Sequence, residues 1–312
     1  MALKQVLDAY ELLDDPSVTG SRVADWLRDQ GADTVEVTRV EGARGGTDFI
    51  RVVIPGTAGK AAGGGAPTLG IIGRLGGLGA RPERVGFVSD GDGALAAVAA
   101  AAKLTRMARL GDRLAGDVVV TTHICPDAPT RPHDPVPFMD SPVDIDTMNA
   151  HEVGAELDAI LSIDATKGNR LCNHRGFAIS PTVKQGWILR VSEDLLTIYG
   201  DTAGRLPVVL PLTMQDITPY GNDVHHVNSI LQPAVASPAP VVGVAITAET
   251  AVPGCGTGAT DPSSVEQAVR FVIEVAKAFT AGGCAFYDPD EFASLVSRYG
   301  PMDVLQTQGR SQ

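Results

Sequence analysis

Two hydrophobic periods alternate along the chain. Apolar residues recur at helical spacing in some segments, and period-two or continuous apolar runs separate those segments. The helical segments are 3–13, 18–31, 90–112, 192–202 and 261–283. The strand-like segments are 33–40, 48–54, 68–73, 85–89, 116–124, 158–164, 176–181, 186–191, 207–213 and 239–249. This alternation predicts an α/β fold with a mixed central sheet and helices on both faces.

Short-range signals refine the boundaries of these elements. Thr19 or Ser21 is the predicted cap of the second helix and Gly31 its stop, and segments 33–40 and 48–54 are predicted to form a hairpin or neighbouring strands. The Gly-rich stretch 56–67 is a predicted flexible surface loop. The Pro-rich stretch 125–147 is predicted to be an ordered loop or a lid rather than a helix. In the last helical segment, Asp261 or Ser263 is the predicted cap and Gly282 the end.

Composition limits the classes of function. The 312 residues, 44% of them hydrophobic, are enough for one large α/β domain or two smaller ones, and we expect a single domain over 1–312. The net charge of −12 argues against nucleic acid or an anionic membrane as partner. Residues 1–15 lack the apolar core of a signal peptide, so we expect a cytoplasmic protein. The four widely spaced cysteines are expected to be free thiols.

Candidate chemistry is concentrated in five polar clusters. Four follow strand-like runs, and the one at 221–226 is predicted to open a helix. Because α/β folds place their sites at the carboxyl ends of strands, these clusters are the candidate site. Their side chains are of the types that bind zinc or manganese: Asp90, His123, Asp127, Asp164, Asp223, His225 and Glu249.

Several segments resemble the zinc-dependent exopeptidases of the aminopeptidase and deacylase type. Segment 12–42, LLDDPSVTGSRVADWLRDQGADTVEVTRVEG, is similar to that family's opening helix, Pro-Ser-x-x-Gly turn, second helix and hairpin. VSDGDGALAAVAAAAKL, DVVVTTHICPD and DAILSIDATKGN resemble later segments of it in order and spacing. The resemblance implies a three-layer sandwich with a mixed central sheet and without the family's large inserted domain. It also implies one or two ions of Zn²⁺, or of Mn²⁺ or Co²⁺.

The same resemblance assigns roles to individual positions. Asp90 takes the place of the metal-bridging Asp, and Asp164 takes that of a ligand Asp. Arg74 lies near the place of the family's first His, segment 123–127 replaces a Glu-Glu pair, and Glu249 stands in for the last His. As a whole the chain also resembles a bacterial family of unassigned function, in the patterns PH-x-PVPFM, SIDATKGNR and QDITPY, which imply no activity.

These observations predict a metal-dependent hydrolase that acts on an amide bond of a small peptide-like or cyclic amide substrate. A bound metal ion acidifies water enough to form hydroxide near neutral pH. The predicted metal ligands are Asp90, His123, Asp164 and His225. The general base is predicted to be Asp127 or Glu249, which would need to reach the attacking water. The predicted substrate-binding residues are Arg74, Lys167, Asn169 and Arg170.

Other interpretations of these residues stay open. Asp90 and Asp92 are also typical helix-capping residues, and His123 could be a satisfied core histidine. The whole site could be decayed, leaving a non-catalytic small-molecule-binding or structural oligomeric protein. A third interpretation is an isomerase or lyase that uses Cys125 and His123. In every case we expect a homo-oligomer, with exposed Pro135, Phe138 and Met139 in the Pro-rich loop near the interface.

Overall fold

A nine-stranded mixed sheet forms the centre of the computed structural model, which describes residues 1–74, 86–134 and 136–306. Two further short strands pair with each other beside it. In chain order the strands are β1 (Thr34–Gly42), β2 (Gly45–Ile54), β3 (Leu69–Gly73), β4 (Val118–Ile124), β5 (Thr130–Arg131), β6 (Phe138–Met139), β7 (Ala159–Thr166), β8 (Gly176–Ile179), β9 (Val183–Lys184), β10 (Trp187–Ile188) and β11 (Val241–Thr247).

Four parallel strands form the middle of the sheet, in the order β4–β3–β7–β11. The antiparallel hairpin β1–β2 extends one side, with β2 paired to β4. On the other side β8 runs antiparallel to β11, and the short β9–β10 hairpin joins β11 through one residue pair. The predicted mixed sheet is therefore confirmed, and the carboxyl ends of all four middle strands lie along one edge.

Helices cover both faces of this sheet. In chain order they are α1 (Leu3–Asp14), α2 (Gly20–Asp29), α3 (Asp92–Arg109), α4 (Ile145–Glu152), α5 (Glu193–Ala203), α6 (Pro233–Ala236), α7 (Pro262–Thr280) and α8 (Pro289–Tyr299). The first face is buried by α1, α2, α3, α5 and α7, whose apolar side chains join one large core. The second face is covered by α6 and the irregular segment 205–232 over a smaller core, and by α4, whose Met148 packs with Phe49 and Val143 in a separate cluster.

Strand side chains alternate between these two cores, as the period of two requires. In β7, Leu161 and Ile163 join the large core, whereas Ile160 joins the small one. In β3, Ile71 joins the large core and Ile72 joins the small one. The even-numbered positions of β3 and β7 therefore lie on the second face.

Helix α3 is held unusually close to the sheet. A Cβ added to Gly93, in its first turn, would lie 2.6 Å from the carbonyl oxygen of Arg74 and 2.7 Å from that of Ile163. A side chain there would push the start of α3 away from the strand ends. The glycine thus fixes the position of the segment that begins with Asp90.

Most boundary predictions are confirmed. Thr19, rather than Ser21, caps α2 by accepting a hydrogen bond from the backbone N–H of Arg22, and Gly31 follows the helix with φ of 107°. Asp261, rather than Ser263, caps α7. The four cysteines are buried free thiols. In the part of the chain that the structure describes, no helix has the length and apolar character needed to cross a membrane.

Several predictions about elements are wrong. Segment 207–213 is not a strand, and only Val209 makes an isolated bridge. The described part of 85–89 contains one bridge at Val88 and a short 3-10 helix. The end of the Pro-rich stretch begins α4, and α8 has no counterpart among the predicted helices. The loop 56–67 contains a 3-10 turn and is fastened through Asp117, which accepts hydrogen bonds from Gly56 and Ala61.

The predicted helix at 221–226 is also absent. Gly221 and Asp223 have φ of 80° and 60°, values outside the right-handed helix. The buried carboxylate of Asp216 accepts hydrogen bonds from the backbone N–H groups of Val227 and Asn228, at 2.7 and 2.9 Å. Such side-chain to backbone bonds compete with helix formation.

The predicted exposure of Met139 is wrong as well. This side chain is buried and packs with Val88, Cys125 and Ala128 in a small cluster of its own. Pro135 and the side chain of Phe138 lie outside the described residues.

Candidate functional site

Three polar residues lie level with one another on neighbouring strands. Strand β3 lies between β4 and β7, and its Ile72 pairs with Thr121 in β4 and with Ser162 in β7. Two residues further along, Arg74 therefore lies between His123 and Asp164. All three belong to positions that face the second, smaller core. They form a row across the carboxyl edge of the sheet.

Arg74 is held by a buried network. Its Nε lies 3.2 Å from Oε2 of Glu152, and its Nη2 donates to the side-chain oxygen of Asn149. The other oxygen of Glu152 lies 2.8 Å from Nδ1 of His123, which is therefore assigned as the protonated ring nitrogen. The Arg74 and Glu152 side chains are only 1% and 0% exposed. Helix α4, which contains Asn149 and Glu152, thus closes over the row.

A guanidinium in this position imposes a charge requirement. Burial lowers the pKa of Arg74, while the charges of Glu152 and Asp164 raise it. An arginine side chain stays protonated in proteins, so the buried positive charge must be balanced by neighbouring carboxylates. Arg74 is therefore a fixed cation between His123 and Asp164.

Asp90 lies at the same edge, just before α3. Its Oδ2 accepts a hydrogen bond from the backbone N–H of Met139 at 2.9 Å, and its own N–H donates to the carbonyl of Gly254 at 3.0 Å. Gly254 approaches the Asp90 carboxylate so closely that a Cβ would collide with it. Burial, followed by the charge of Asp92, raises the pKa of Asp90 to about 6, against the lowering effect of the Met139 bond.

Asp164 is the second buried carboxyl group of the site. Its Oδ1 accepts from the N–H of Ala165 at 2.7 Å, and Oγ of Ser229 lies 3.5 Å from its Oδ2. Burial raises the pKa of Tyr220, the charge of Asp164 adds to this rise, and Ser229 opposes it. Burial and then the charge of Asp90 raise the pKa of Asp164 to about 8, although Arg74 lowers it.

Asp90 and Asp164 therefore behave as one coupled pair. Each additional negative charge in this buried place is unfavourable, so the second ionisation is displaced to higher pH. The apparent values of about 6 and about 8 belong to the pair as a whole. These two pKa values correspond to a pair that shares one proton near pH 7.

The two-zinc centre implied by the exopeptidase resemblance does not fit this row. A metal bound by both His123 and Asp164 would have to occupy the space that the Arg74 guanidinium fills, and the two cations would repel each other. Over residues 1–74, 86–134 and 136–306, no group of three His, Cys, Asp or Glu side chains could hold a metal ion.

The remaining predicted site residues are distributed around this edge. Asp127 and His225 are exposed, and the side chain of Asn169 accepts from the N–H groups of Leu171 and Cys172 in a local turn. Arg170 is exposed in the same turn. The structure therefore brings Arg74, Asp90 and Asp164 together and links His123 to them through Glu152, but it leaves these four outside.

Neither Asp90 nor Asp92 caps α3 through its side chain. The helix begins after Gly91 without a side-chain cap. The buried Asp92 instead forms an ion pair with Lys167 and accepts a hydrogen bond from Thr260 at 2.7 Å. Lys167 thus neutralises a carboxylate beside the pair, while the predicted base Glu249 is exposed nearby in an open cleft.

The thiol mechanism is not favoured by the surroundings of Cys125. Burial raises the pKa of this thiol to about 11, with a smaller contribution from the charge of Asp127. A nucleophilic cysteine needs a lowered pKa, since the thiolate is the reactive form.

Comparison with known proteins identifies a family. A model described as a protein of unknown function, DUF1177, matches residues 38–309. The chain belongs to the DUF1177 family. The match is consistent with the predicted likeness to a family of unassigned function. It gives no support to the zinc-exopeptidase resemblance. A comparison with curated proteins found no match.

In this DUF1177 chain, sequence reasoning missed Glu152, Asn149, Ser229 and Tyr220. Asn149 and Glu152 are three residues apart and share one side of α4 with the apolar Met148, which contacts Arg74. This polar pair beside an apolar residue is a helical signal. It is obscured because it directly follows the Pro-rich stretch. Ser229 and Tyr220 give no such signal, since an irregular loop brings them to Asp164.

The buried ion pair between Arg74 and Glu152 can be tested by removing one charge and then both. Arg74→Met should leave the buried Glu152 carboxylate without its cationic partner, with only the hydrogen bond to His123 remaining, and lower the free energy of unfolding by about 3–5 kcal/mol. Adding Glu152→Gln should recover most of that loss, because no unpaired charge remains. Urea unfolding at pH 7 measures both.

The matched control is Arg51→Met. Arg51 lies on strand β2 and forms an ion pair with Glu156 at 2.7 Å, but both side chains are about one-third exposed. Arg51→Met should lower the free energy of unfolding by less than about 1 kcal/mol. Equal losses for Arg74→Met and Arg51→Met would contradict the charge requirement at Arg74.

Proposed function

We propose that this protein hydrolyses an amide bond in a small peptide-like or cyclic amide substrate, and that Asp90 and Asp164 are its catalytic acid–base pair. The observation that supports this proposal is the adjacency of two buried carboxyl groups whose pKa values are raised to about 6 and about 8. Strongly shifted carboxyl groups at the carboxyl edge of an α/β sheet are candidates for catalysis.

The shared proton gives the two groups different roles near pH 7. The ionised carboxylate, assigned to Asp90, takes a proton from water as the water oxygen adds to the amide carbonyl carbon. The protonated group, assigned to Asp164, gives its proton to the amide nitrogen as the carbon–nitrogen bond breaks. The products are a carboxylic acid and an amine. Transfer of one proton from Asp90 to Asp164 then restores the starting state.

Arg74 supports the proton-donating role of Asp164. When Asp164 gives up its proton, a negative charge appears in a buried place. The guanidinium of Arg74 is already in position and stabilises the ionised form of Asp164. In this proposal Arg74 acts on Asp164 rather than on the substrate.

The proposal predicts a bell-shaped pH dependence. As pH rises through about 6 the pair loses its first proton and activity should increase; as it rises through about 8 the donated proton is lost and activity should fall. Hydrolysis of dipeptides, N-acyl amino acids and small cyclic amides should be measured between pH 4 and 10. Asp90→Asn and Asp164→Asn should each lower kcat by about 10²–10⁴-fold.

Asp25→Asn is the control, because Asp25 is an exposed residue of α2. Its activity should equal that of the original protein. Full activity in a folded Asp164→Asn variant would refute the assignment. Asp127→Asn should also keep its activity, and a large loss there would favour the base predicted from the sequence instead.

A metal-assisted mechanism at the same pair is the second candidate. Paired carboxylate oxygens are ligands that Mn²⁺ accepts, and Asp90 and Asp164 supply two. Treatment with a chelator should leave the acid–base mechanism intact. Loss of activity that returns with Zn²⁺, Mn²⁺ or Co²⁺ would favour the metal-assisted one. If no amide in the set is hydrolysed, the alternative of a non-catalytic binding protein gains support.

We also propose that the chain forms a homo-oligomer. Exposed apolar side chains are frequent in one irregular segment, where Leu206 is 87% exposed and Val209, Met214, Val224 and Val227 are each more than 40% exposed. Apolar groups gathered in this way are typical of contact surfaces. Light scattering should give a mass above 32.4 kDa, the mass of one chain. A mass of one chain that does not change with concentration would contradict this.

A further inference from the structure

An open cleft lies at the carboxyl edge of the sheet, where β7 and β11 end. Its volume is about 500 Å³, within the range of small-molecule sites. It lies on the first face of the sheet, against the starts of α3 and α7. Its charged lining residues are Lys167, Arg175, Glu249 and Asp261.

The cleft is connected to Asp90 in two ways. Lys167, which lines the cleft, forms an ion pair with Asp92, two residues after Asp90. Both ends of segment 248–261 line the cleft. Gly254, in the middle of this segment, contacts Asp90. A ligand in the cleft would therefore lie on the Asp90 side of the pair.

Side chains of opposite charge line the cleft. Arg175 is 68% exposed, and its Nε lies 2.9 Å from Oδ2 of Asp261. This single contact leaves the guanidinium's other N–H groups available toward the cleft. The Glu249 carboxylate is exposed and interacts electrostatically with Arg175.

We propose that this cleft binds a small zwitterion that has a free ammonium group and a free carboxylate, such as a dipeptide. Arg175 binds the ligand carboxylate and Glu249 binds the ammonium group. The planar guanidinium suits a carboxylate, and the exposed Glu249 oxygens suit an ammonium donor. The inference rests on the proposed function only in naming this ligand as its substrate class; the binding itself is independent.

Calorimetric titration with three probes tests the assignment. Glycylglycine has both charges, N-acetylglycylglycine lacks the ammonium, and glycylglycinamide lacks the carboxylate. In the original protein and in Asp164→Asn, glycylglycine should bind about five- to tenfold more tightly than either capped probe, as a charged hydrogen-bond pair in a partly exposed site allows.

Variants then assign each charge to one residue. Arg175→Ala should weaken glycylglycine and N-acetylglycylglycine about five- to tenfold but leave glycylglycinamide unchanged. Glu249→Gln should weaken glycylglycine and glycylglycinamide but leave N-acetylglycylglycine unchanged. Arg190→Ala and Glu274→Gln remove comparable exposed ion-pair residues elsewhere and should have no effect. Circular dichroism checks that each variant is folded.

The outcomes separate this inference from the proposed function. Selective binding without hydrolysis would support the zwitterion site and count against the catalytic pair. Hydrolysis without selective binding of glycylglycine would overturn the zwitterion site and leave the pair standing. Equal binding of the three probes, or no binding at millimolar concentration, would also overturn it.

Discussion

The buried charge of Arg74 is the constraint on which the site depends. A guanidinium removed from water must keep counter-charges within reach, and β3 places it in the middle of the sheet, where only its own neighbours can supply them. Glu152 meets this need directly, and α4 must lie over the sheet to bring it there. His123 is then oriented by the remaining oxygen of Glu152.

The balance of charge at Arg74 also explains why the proposed catalytic pair does not serve simply as the counter-ion of an arginine. Glu152 already balances Arg74, so Asp164 is not required as a full counter-ion. Asp90 and Asp164 are then two acidic groups in a buried place with only partial compensation, and a proton supplies the rest. Lys167 is bonded to Asp92, and its charge offsets only part of the rise in the pKa of Asp90.

The sequence predicted the sheet well and the site only in part, for one physical reason. Buried strands have a strong local signal, so the ends of β3, β4 and β7, and the positions of His123 and Asp164 near them, could be inferred. The partners of these residues are set by tertiary packing. Nothing local indicates that Glu152 reaches Arg74, or that Asp216 folds the following loop so that His225 lies at the surface. The family resemblance suggested a metal where the structure has a guanidinium.

Titration of the aspartate side chains by carbon-detected NMR tests the central claim most directly. The chain should be labelled at the aspartate carboxyl carbons and followed from pH 3 to pH 10, with Asp90→Asn and Asp164→Asn used to assign the two signals. Coupled transitions are expected near pH 6 and pH 8. In Asp90→Asn the Asp164 transition should move to lower pH, because the like charge is gone, whereas in Asp164→Asn the Asp90 transition should stay near pH 6, because Asp90 ionises while Asp164 is still neutral. If both carboxyl groups of the original protein titrate independently below about pH 5, as ordinary aspartates do, the shared proton does not exist and the account is wrong.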